Sequence, residues 1–352
     1  MHRRDVLASL LIAAGWPALA ADEAWPGTEW DRITPEAAGW RPDLLAEARA
    51  YAQRAGTASF IVLQHGRIIE SWGDITSKLQ LYSVRKSLLS ALIGIAVRDG
   101  RLNLDDTMAA LGIDDVPPSL TEVEKQATVR QLLQARSGIY HPALYETEGM
   151  ARRRPARGSH APGRFWYYNN WDFNALGTIY ERATGTTIFQ AFQAEIAGPL
   201  GMQDYRPSDG RSLGGEASMH AAYPFRMSAR DLARFGLLYL RQGRWRDRQV
   251  VPAAWVREST TAWSETYLRS GYGYMWWTGF PDRRVTIMNL PPGGFWADGS
   301  RGQFVVVDPA HDLVAVHQTD GTSVSERQMG HILWLILNAA GVQDPGADPE
   351  AG

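Results

Sequence analysis

A hydroxyl and an amine stand three residues apart in the pattern Ser83-x-x-Lys86, at the start of a very apolar segment. Positions i and i+3 are neighbours on a helix, so the Lys86 amine can reach the Ser83 hydroxyl. The following residues, Leu88 to Val97, are apolar on nearly every face and predict a buried helix. Burial and the positive end of the helix dipole both lower the pKa of Lys86. A serine beside such a base is suited to nucleophilic catalysis.

The same pattern also has a purely structural interpretation, in which Ser83 only caps the helix and Lys86 is solvated. Three residues after a cap, however, the helix dipole favours an anion, and it disfavours an exposed cation by about 0.3–1 kcal/mol. A capping sequence would place glutamate at this position. The lysine therefore favours the catalytic interpretation.

Two tyrosines followed by two asparagines, Tyr167-Tyr168-Asn169-Asn170, precede the next long apolar stretch. A tyrosine phenolate near a lysine can relay a proton to a leaving group. An asparagine can donate a hydrogen bond to a substrate carbonyl and orient the lysine. Two registers fit, Tyr167 with Asn169 and Tyr168 with Asn170. A helix cap at Asn170 with buried aromatic rings is the structural alternative.

A third candidate segment runs from Ala297 to Gln303 and leads into a predicted strand at Phe304–Val307. Its glycines allow a backbone to approach a ligand closely, although a plain hairpin has the same composition. Other catalytic patterns are missing from the sequence. It has no cysteine, no His-Glu-x-x-His and no glycine-rich phosphate loop, and its eight histidines are scattered. We therefore expect no metal site.

The elements that must position these residues follow the order helix, strands, helices, strands, helix. Helices are predicted at Arg41–Ala55, Ser83–Val97, Val129–Ala135, Trp171–Thr184, Ile188–Ile196, Ala229–Gln242 and Val324–Ala340. Strands are predicted at Phe60–Leu63, Ile68–Ile69, Val285–Leu290, Gln303–Val307 and Leu313–His317. This order indicates an α+β fold, with one antiparallel sheet built from both chain ends, terminal helices, and an inserted, mostly α-helical subdomain.

The composition and the N-terminal residues indicate which partners and which cellular location to expect. The chain has 36 Lys and Arg against 38 Asp and Glu, a net charge of −2, which argues against nucleic acid as a partner. Arg3-Arg4, an apolar stretch from Val6 to Leu19 and a small-x-small site before Ala21 predict a cleaved signal peptide over residues 1–20, and the arginine pair also fits twin-arginine export. The stretch is too short to span a bilayer, so we expect a periplasmic or secreted protein without stable membrane insertion.

The three motifs together resemble the serine β-lactamase and DD-peptidase superfamily, in its class C-like branch of esterases, D-aminopeptidases and 6-aminohexanoate-dimer hydrolase. The resemblance extends from about Ala37 to Gly341. Relatives carry Leu-Gly at +8 and +9 from the motif tyrosine, so Leu176-Gly177 selects Tyr168 and Asn170. The third motif maps to Ser300-Arg301-Gly302, with Ser300 where relatives carry a cation.

The resemblance implies a β-lactamase/transpeptidase-like fold and acyl transfer without a metal or organic cofactor. Ser83 attacks a carbonyl, Lys86 and Tyr168 move the proton, and water releases the acyl group. The backbone N–H groups of Ser83 and Gln303 form the oxyanion hole. Asn170, Ser300 and Gly302 complete the substrate site, in a cleft that we expect to be aromatic.

We therefore predict an exported serine hydrolase that cleaves an ester or amide bond in a small molecule or short peptide. Ser300 argues against turnover of β-lactams and carboxylate-terminated peptides. The alternative is a penicillin-binding-like module that binds a ligand or takes part in assembly with little turnover. The predicted boundaries are 1–20 for the signal peptide, 21–345 for the hydrolase domain and 346–352 for a flexible tail. Within the domain, 37–80 plus 265–341 form the sheet subdomain and 81–264 the helical one. The sequence does not predict the exact substrate or the oligomeric state.

Overall fold

Two chain segments far apart in sequence form one antiparallel sheet of eight strands. The computed structural model describes residues 23–351, so the predicted signal peptide lies outside the described residues. The strand order is β2-β1-β14-β13-β12-β11-β10-β9. These strands are β1 (Thr57–Gln64), β2 (Arg67–Gly73), β9 (Ser264–Glu265), β10 (Gly271–Tyr272), β11 (Trp277–Thr278), β12 (Phe295–Gly299), β13 (Gln303–Asp308) and β14 (Leu313–Thr319). The α+β class and the antiparallel sheet predicted from the sequence are confirmed.

Six further strands make three small two-stranded sheets outside the main one. They are β3 (Leu79–Gln80), β4 (Leu213–Gly215), β5 (Ser218–Ala222), β6 (Arg226–Met227), β7 (Arg244–Trp245) and β8 (Arg248–Gln249). The helices are α1 (Pro42–Ala55), α2 (Arg85–Arg98), α3 (Val129–Leu133), α4 (Glu148–Arg153), α5 (Asn170–Thr184), α6 (Ile188–Phe192), α7 (Gly198–Leu200), α8 (Ala229–Leu240), α9 (Ala253–Ser259) and α10 (Glu326–Ala339). None of the helices in the described part of the chain has the length and apolar character needed to cross a bilayer.

Helices cover the central strands, because every residue of β13 and β14 is buried and such strands need packing on both faces. The terminal helices α1 and α10 pack against each other. Helix α8 packs on β13 and β14, although the sequence predicted it as part of the inserted helical subdomain. Gly236 permits this contact, since a Cβ built there would lie 2.5 Å from a methyl carbon of Val314.

One prediction about local structure was wrong. Residues Val285 to Leu290 form one isolated bridge around a 3-10 turn rather than a strand. The tail from residue 346, whose flexibility stays a prediction, makes hydrogen bonds to α10. There, Trp334 Nε1 donates to the Gly346 carbonyl oxygen at 3.1 Å, and His331 Nδ1 lies 2.6 Å from an Asp348 carboxylate oxygen. Polar ring atoms on α10 thus give this polar segment hydrogen-bonding partners.

Candidate active site

Ser83 lies in a single 3-10 turn, Tyr82–Val84, that leads directly into α2. Tyr82 adopts a φ of +46°, in the left-handed region that residues other than glycine rarely occupy. Such local strain persists only where the surrounding structure imposes it, and it fixes the direction in which the next residue enters the helix. Helix α2 is buried from its first residue, as the apolar sequence predicted.

The structure brings three of the predicted residues into direct contact. Lys86 Nζ lies 2.6 Å from Ser83 Oγ and 2.8 Å from the Tyr168 hydroxyl. Only 2% of Lys86 is exposed, and its Nζ lies 4.6 Å from the ring centre of Tyr168 and 4.9 Å from that of Phe173. The amine therefore connects the two hydroxyl groups in a pocket closed by aromatic rings.

Burial sets the protonation states of this group. It lowers the pKa of Lys86 well below the usual lysine value, and the neighbouring Arg85 lowers it further, whereas Asp298 opposes the shift. Burial raises the pKa of Tyr168 above the usual tyrosine value. This shift favours a protonated Tyr168 phenol at neutral pH over the phenolate predicted from the sequence. The electrostatics favour a neutral amine between two hydroxyls, which can accept a proton from one and return it through the other.

The tyrosines and asparagines of the two possible Tyr-x-Asn registers have different hydrogen-bond partners. The Tyr167 hydroxyl donates to the Met150 carbonyl oxygen at 2.8 Å and does not join Lys86. Asn169 caps α5 by accepting from Trp171 N at 3.2 Å, so the cap is Asn169 and not Asn170. The side chain of Tyr168 is the one that reaches the amine.

Asn170 is buried beside this group but does not orient the lysine in the way the sequence predicted. Its Nδ2 donates to the Tyr145 carbonyl oxygen at 2.6 Å. Within residues 23–351, no hydrogen bond joins Asn170 to Lys86, and Asn170 Oδ1 is buried without a partner. The hydrogen bond of the Asn170 amide nitrogen has a structural role, because it connects the loop at Tyr145 to the start of α5.

The predicted third segment forms the hairpin between β12 and β13. Ser300 and Arg301 are exposed, and Gly302 has a φ of +95° and donates to the Gly299 carbonyl oxygen at 3.2 Å. The Gln303 side chain is buried and donates to the Thr319 carbonyl oxygen at 3.0 Å, on β14. The side chains of Ser300 and Gln303 thus stay outside the contacts that link Ser83, Lys86 and Tyr168, and Gly302 has no side chain to contribute.

The strand that meets the serine segment is β12, which the sequence analysis missed. A Cβ built on Gly299 would lie 2.2 Å from the Leu81 carbonyl oxygen, so only glycine allows this approach two residues before Ser83. On this edge of β12, strand β11 pairs with Phe295 and Trp296. Within the described part of the chain, the rest of that edge of β12 has no strand partner, and it forms an open edge next to the serine.

Two charged residues near Lys86 were not predicted from the sequence. Asp298, on β12, acts on Lys86 electrostatically, and burial together with Glu326 raises its pKa well above the usual aspartate value. Arg85 is fully buried, and none of its guanidinium nitrogens has a hydrogen-bond partner in the described residues. Its Cζ lies 4.2 Å from the ring centre of Tyr223. A charged residue inside an apolar helix was the signal available for Arg85, and alternation along an unrecognised strand was the signal for Asp298.

A cleft of about 460 Å³ opens beside Tyr168. Its wall is aromatic and basic, and it includes Arg153, Arg164, Trp166, Tyr168, Glu265 and Tyr267. In residues 23–351 we find no group of three or more His, Asp or Glu side chains that could hold a metal ion.

Residues 42–337, well over half of the chain, match the family model described as Beta-lactamase. The chain belongs to the beta-lactamase family. The superfamily resemblance drawn from the motifs is thereby confirmed, and membership supports a serine hydrolase in general. A curated relative is an uncharacterized protein of Alkalihalophilus pseudofirmus, 23% identical over 291 residues, which are 74% of this chain and 82% of the relative.

Solved structures agree with this family at the level of the fold. A beta-lactamase/D-alanine carboxypeptidase from Pseudomonas syringae superposes with a TM-score of 0.63 at 16% identity, covering 84% of this chain and 98% of its own. A beta-lactamase from Mycobacterium bovis gives 0.60 at 21% identity, covering 83% and 99%. A penicillin-binding protein homolog from Caulobacter crescentus gives 0.60 at 17% identity, covering 83% and 97%. The predicted β-lactamase-like fold is confirmed.

Proposed function

We propose that this beta-lactamase family member hydrolyses an ester or amide bond through an acyl-enzyme formed on Ser83. The observation that carries the proposal is the position of the Lys86 amine, within 2.8 Å of both the Ser83 and the Tyr168 oxygen atoms. Its lowered pKa supports a free amine at neutral pH, as a base must have.

In the proposed reaction, Ser83 Oγ attacks the substrate carbonyl carbon while its proton passes to the neutral Lys86 Nζ. The Tyr168 hydroxyl then gives its proton to the departing oxygen or nitrogen, and the Lys86 ammonium restores the proton to Tyr168. Water attacks the Ser83 ester in the second half-reaction, giving a carboxylic acid and free Ser83. Lys86 and Tyr168 thus act in both directions as one proton relay.

The second oxyanion donor in this proposal is the Ser300 N–H rather than that of Gln303. The Gly299 carbonyl points into the hairpin, where it accepts from Gly302 N. In a planar trans peptide the following N–H points the opposite way, so the Ser300 N–H is directed toward the open edge of β12. Gln303 pairs with Gly299 across the hairpin, which directs its N–H into the sheet. The Ser83 N–H is the first donor.

The N-terminal sequence supports export of this hydrolase to the periplasm or the medium, with the signal peptide removed. A second candidate function is a penicillin-binding-like module that acylates once and then holds its ligand. The observation favouring it is that Ala297, Asp298 and Gly299, the residues of β12 before the proposed donor, include no cation that could hold a substrate carboxylate.

Stopped-flow release of p-nitrophenol from p-nitrophenyl acetate separates the two functions. For the hydrolase we expect a burst of about one equivalent followed by steady turnover, and for the binding module a burst alone. The Ser83→Ala variant should lose both phases. Ser87→Ala is the matched control, because Ser87 Oγ lies one turn further along α2 and donates to the Met275 carbonyl oxygen. Equal turnover by wild type and Ser83→Ala would rule the proposal out.

A further inference from the structure

The cleft beside Tyr168 has a wall of aromatic rings that face solvent. Tyr267 is 58% exposed and Phe165 is 42% exposed, which places both among the large exposed hydrophobic residues of the described chain. The Trp166 ring centre lies 5.7 Å from that of Tyr267 and 6.0 Å from that of Trp277. Exposed rings gathered around a concave site are typical of ligand pockets. This wall can hold a flat apolar group by stacking.

Two arginines on the cleft have no carboxylate partner. In the part of the chain that the structure describes, Arg153 and Arg164 form neither an ion pair nor a side-chain hydrogen bond, and both are exposed. Arg153 Cζ lies 5.3 Å from the ring centre of Tyr267. The guanidinium groups are thus available to a ligand that reaches the aromatic wall.

The other arginines between residues 152 and 164 differ from Arg153 and Arg164, because each of them pairs with a carboxylate. Arg152 pairs with Glu148 at 3.3 Å, Arg154 pairs with Glu146, and Arg157 pairs with Glu124 at 2.7 Å. These three are neutralised within the protein and do not line the cleft. Among these arginines, the two without a carboxylate partner, Arg153 and Arg164, are therefore the two that line the cleft.

The remaining charged groups of the cleft wall do not cancel this positive charge. Arg136 is bound by its guanidinium to the Gly163 carbonyl oxygen at 2.8 Å and to Ser264 Oγ at 2.9 Å. Glu265 is the carboxylate of the wall, and it pairs with Arg283 at 3.1 Å. An anion entering the cleft therefore meets two free guanidinium groups and a carboxylate that is already paired.

We propose that this cleft binds one half of the substrate and selects a flat, apolar group that carries a carboxylate or a similar anionic substituent. The proposal rests on the proposed ester or amide hydrolysis at Ser83 and adds the substrate class. Arg153 and Arg164 bind the anion by charge-assisted hydrogen bonds, and Trp166 and Tyr267 stack on the apolar group. Recognition of the anion thus lies in the cleft beside Tyr168, whose described wall does not include Ser300.

The experiment compares kcat/KM for two pairs of esters. One pair carries the charge on the acyl half, 4-nitrophenyl benzoate and 4-nitrophenyl 4-carboxybenzoate. The other carries it on the leaving group, phenyl acetate and 4-sulfophenyl acetate. For each ester, kcat/KM of a variant is divided by kcat/KM of the wild type on the same ester. Differences in intrinsic reactivity between esters then cancel. The pair that responds identifies the half of the substrate that the cleft holds.

We expect Arg164→Gln and Arg153→Gln each to lower kcat/KM for one of the anionic esters about tenfold, because a hydrogen bond to a charged group is lost. The neutral esters should change less than twofold. Added salt should weaken the preference of the wild type. Arg248→Gln, at an exposed arginine on the β7–β8 hairpin, is the matched control and should change none of the rates.

Equal responses of the neutral and the anionic esters in both pairs would overturn the substrate assignment. Ser83-dependent turnover of the neutral esters would persist in that case, and the proposed hydrolysis would stand. Absence of Ser83-dependent turnover of every ester would instead refute the hydrolysis itself. As a second variant, Arg164→Glu should reverse the preference toward the neutral ester, and retention of the anionic preference would also contradict the proposal.

Discussion

The stability of the fold should depend on pH through one buried histidine in the sheet. His317 lies on β14 with no exposed surface. Its Nδ1–H donates to the Gly302 carbonyl oxygen at 2.7 Å, so its Nε2 accepts from the Thr57 hydroxyl at 2.8 Å. Burial lowers the pKa of His317 from 6.5 to about 4, and the bond to Gly302 opposes this shift only in part. The folded protein therefore holds a neutral imidazole at pH values where the unfolded chain is protonated.

The size of the effect follows from the two pKa values. They differ by about 2.5, which corresponds to about 3 kcal/mol at about 1.4 kcal/mol per pKa unit. Above pH 6.5 the histidine is neutral in both the folded and the unfolded state, so it does not change the free energy of unfolding. As the pH falls below 6.5 the unfolded chain binds the proton and the folded protein does not, so the free energy of unfolding decreases until the pH reaches about 4. By pH 5 the loss amounts to about 2 kcal/mol.

Urea unfolding at pH 7.5 and pH 5, followed by tryptophan fluorescence, measures this loss. We compare the wild type with His317→Gln, whose amide can also donate to Gly302 and accept from Thr57 but does not titrate. Other groups that titrate over this range affect both proteins equally. The wild type should therefore lose about 2 kcal/mol more than the variant. An equal loss in the two proteins would refute the reasoning, whatever the stability of the variant at pH 7.5.

Further predictions concern the relay at the serine. Tyr168→Phe should reduce kcat for ester hydrolysis by about 10²–10⁴-fold, the usual contribution of a general acid, while unfolding by urea stays close to that of the wild type. Arg85→Met removes a cation that lowers the pKa of Lys86, so the acid limb of the kcat/KM profile should move to higher pH. Asp298→Asn removes the carboxylate that opposes this lowering, so the same limb should move to lower pH. Shifts in the same direction for both variants, or no shift, would show that Lys86 is not the titrating base.

Much of the fold could be predicted because its long elements have strong local patterns. The helix at Ser83 and the two strands at the chain end needed only apolar periodicity and bounding glycine, proline or aspartate. The short strands β9 to β12 are two to five residues long and rich in glycine and polar residues, so their local signal was too weak. They form because pairing with neighbouring strands stabilises them although their local strand propensity is weak. The pairing of Trp277 with Trp296 is an example.

The contact of Ser83 with Lys86 was predictable from helix geometry, because it lies within one turn. The choice of Tyr168 over Tyr167 needed the spacing to the following helix. The fixed directions of the Asn170 and Gln303 amides were not predictable, since each is decided by a carbonyl oxygen from a distant segment. The charge of Asp298 acts on Lys86 from another element, and the sequence does not show which elements meet.

The central claim is that the Ser83 hydroxyl is the nucleophile and the Lys86 amine its base. Incubation with a fluorophosphonate, followed by intact-protein and peptide mass measurement, tests it directly. We predict one adduct per chain, located on Ser83, absent in Ser83→Ala and formed much more slowly in Lys86→Met, with Ser87→Ala labelled like the wild type. An adduct on another residue, or labelling of Ser83 at the same rate without the lysine amine, would contradict the account.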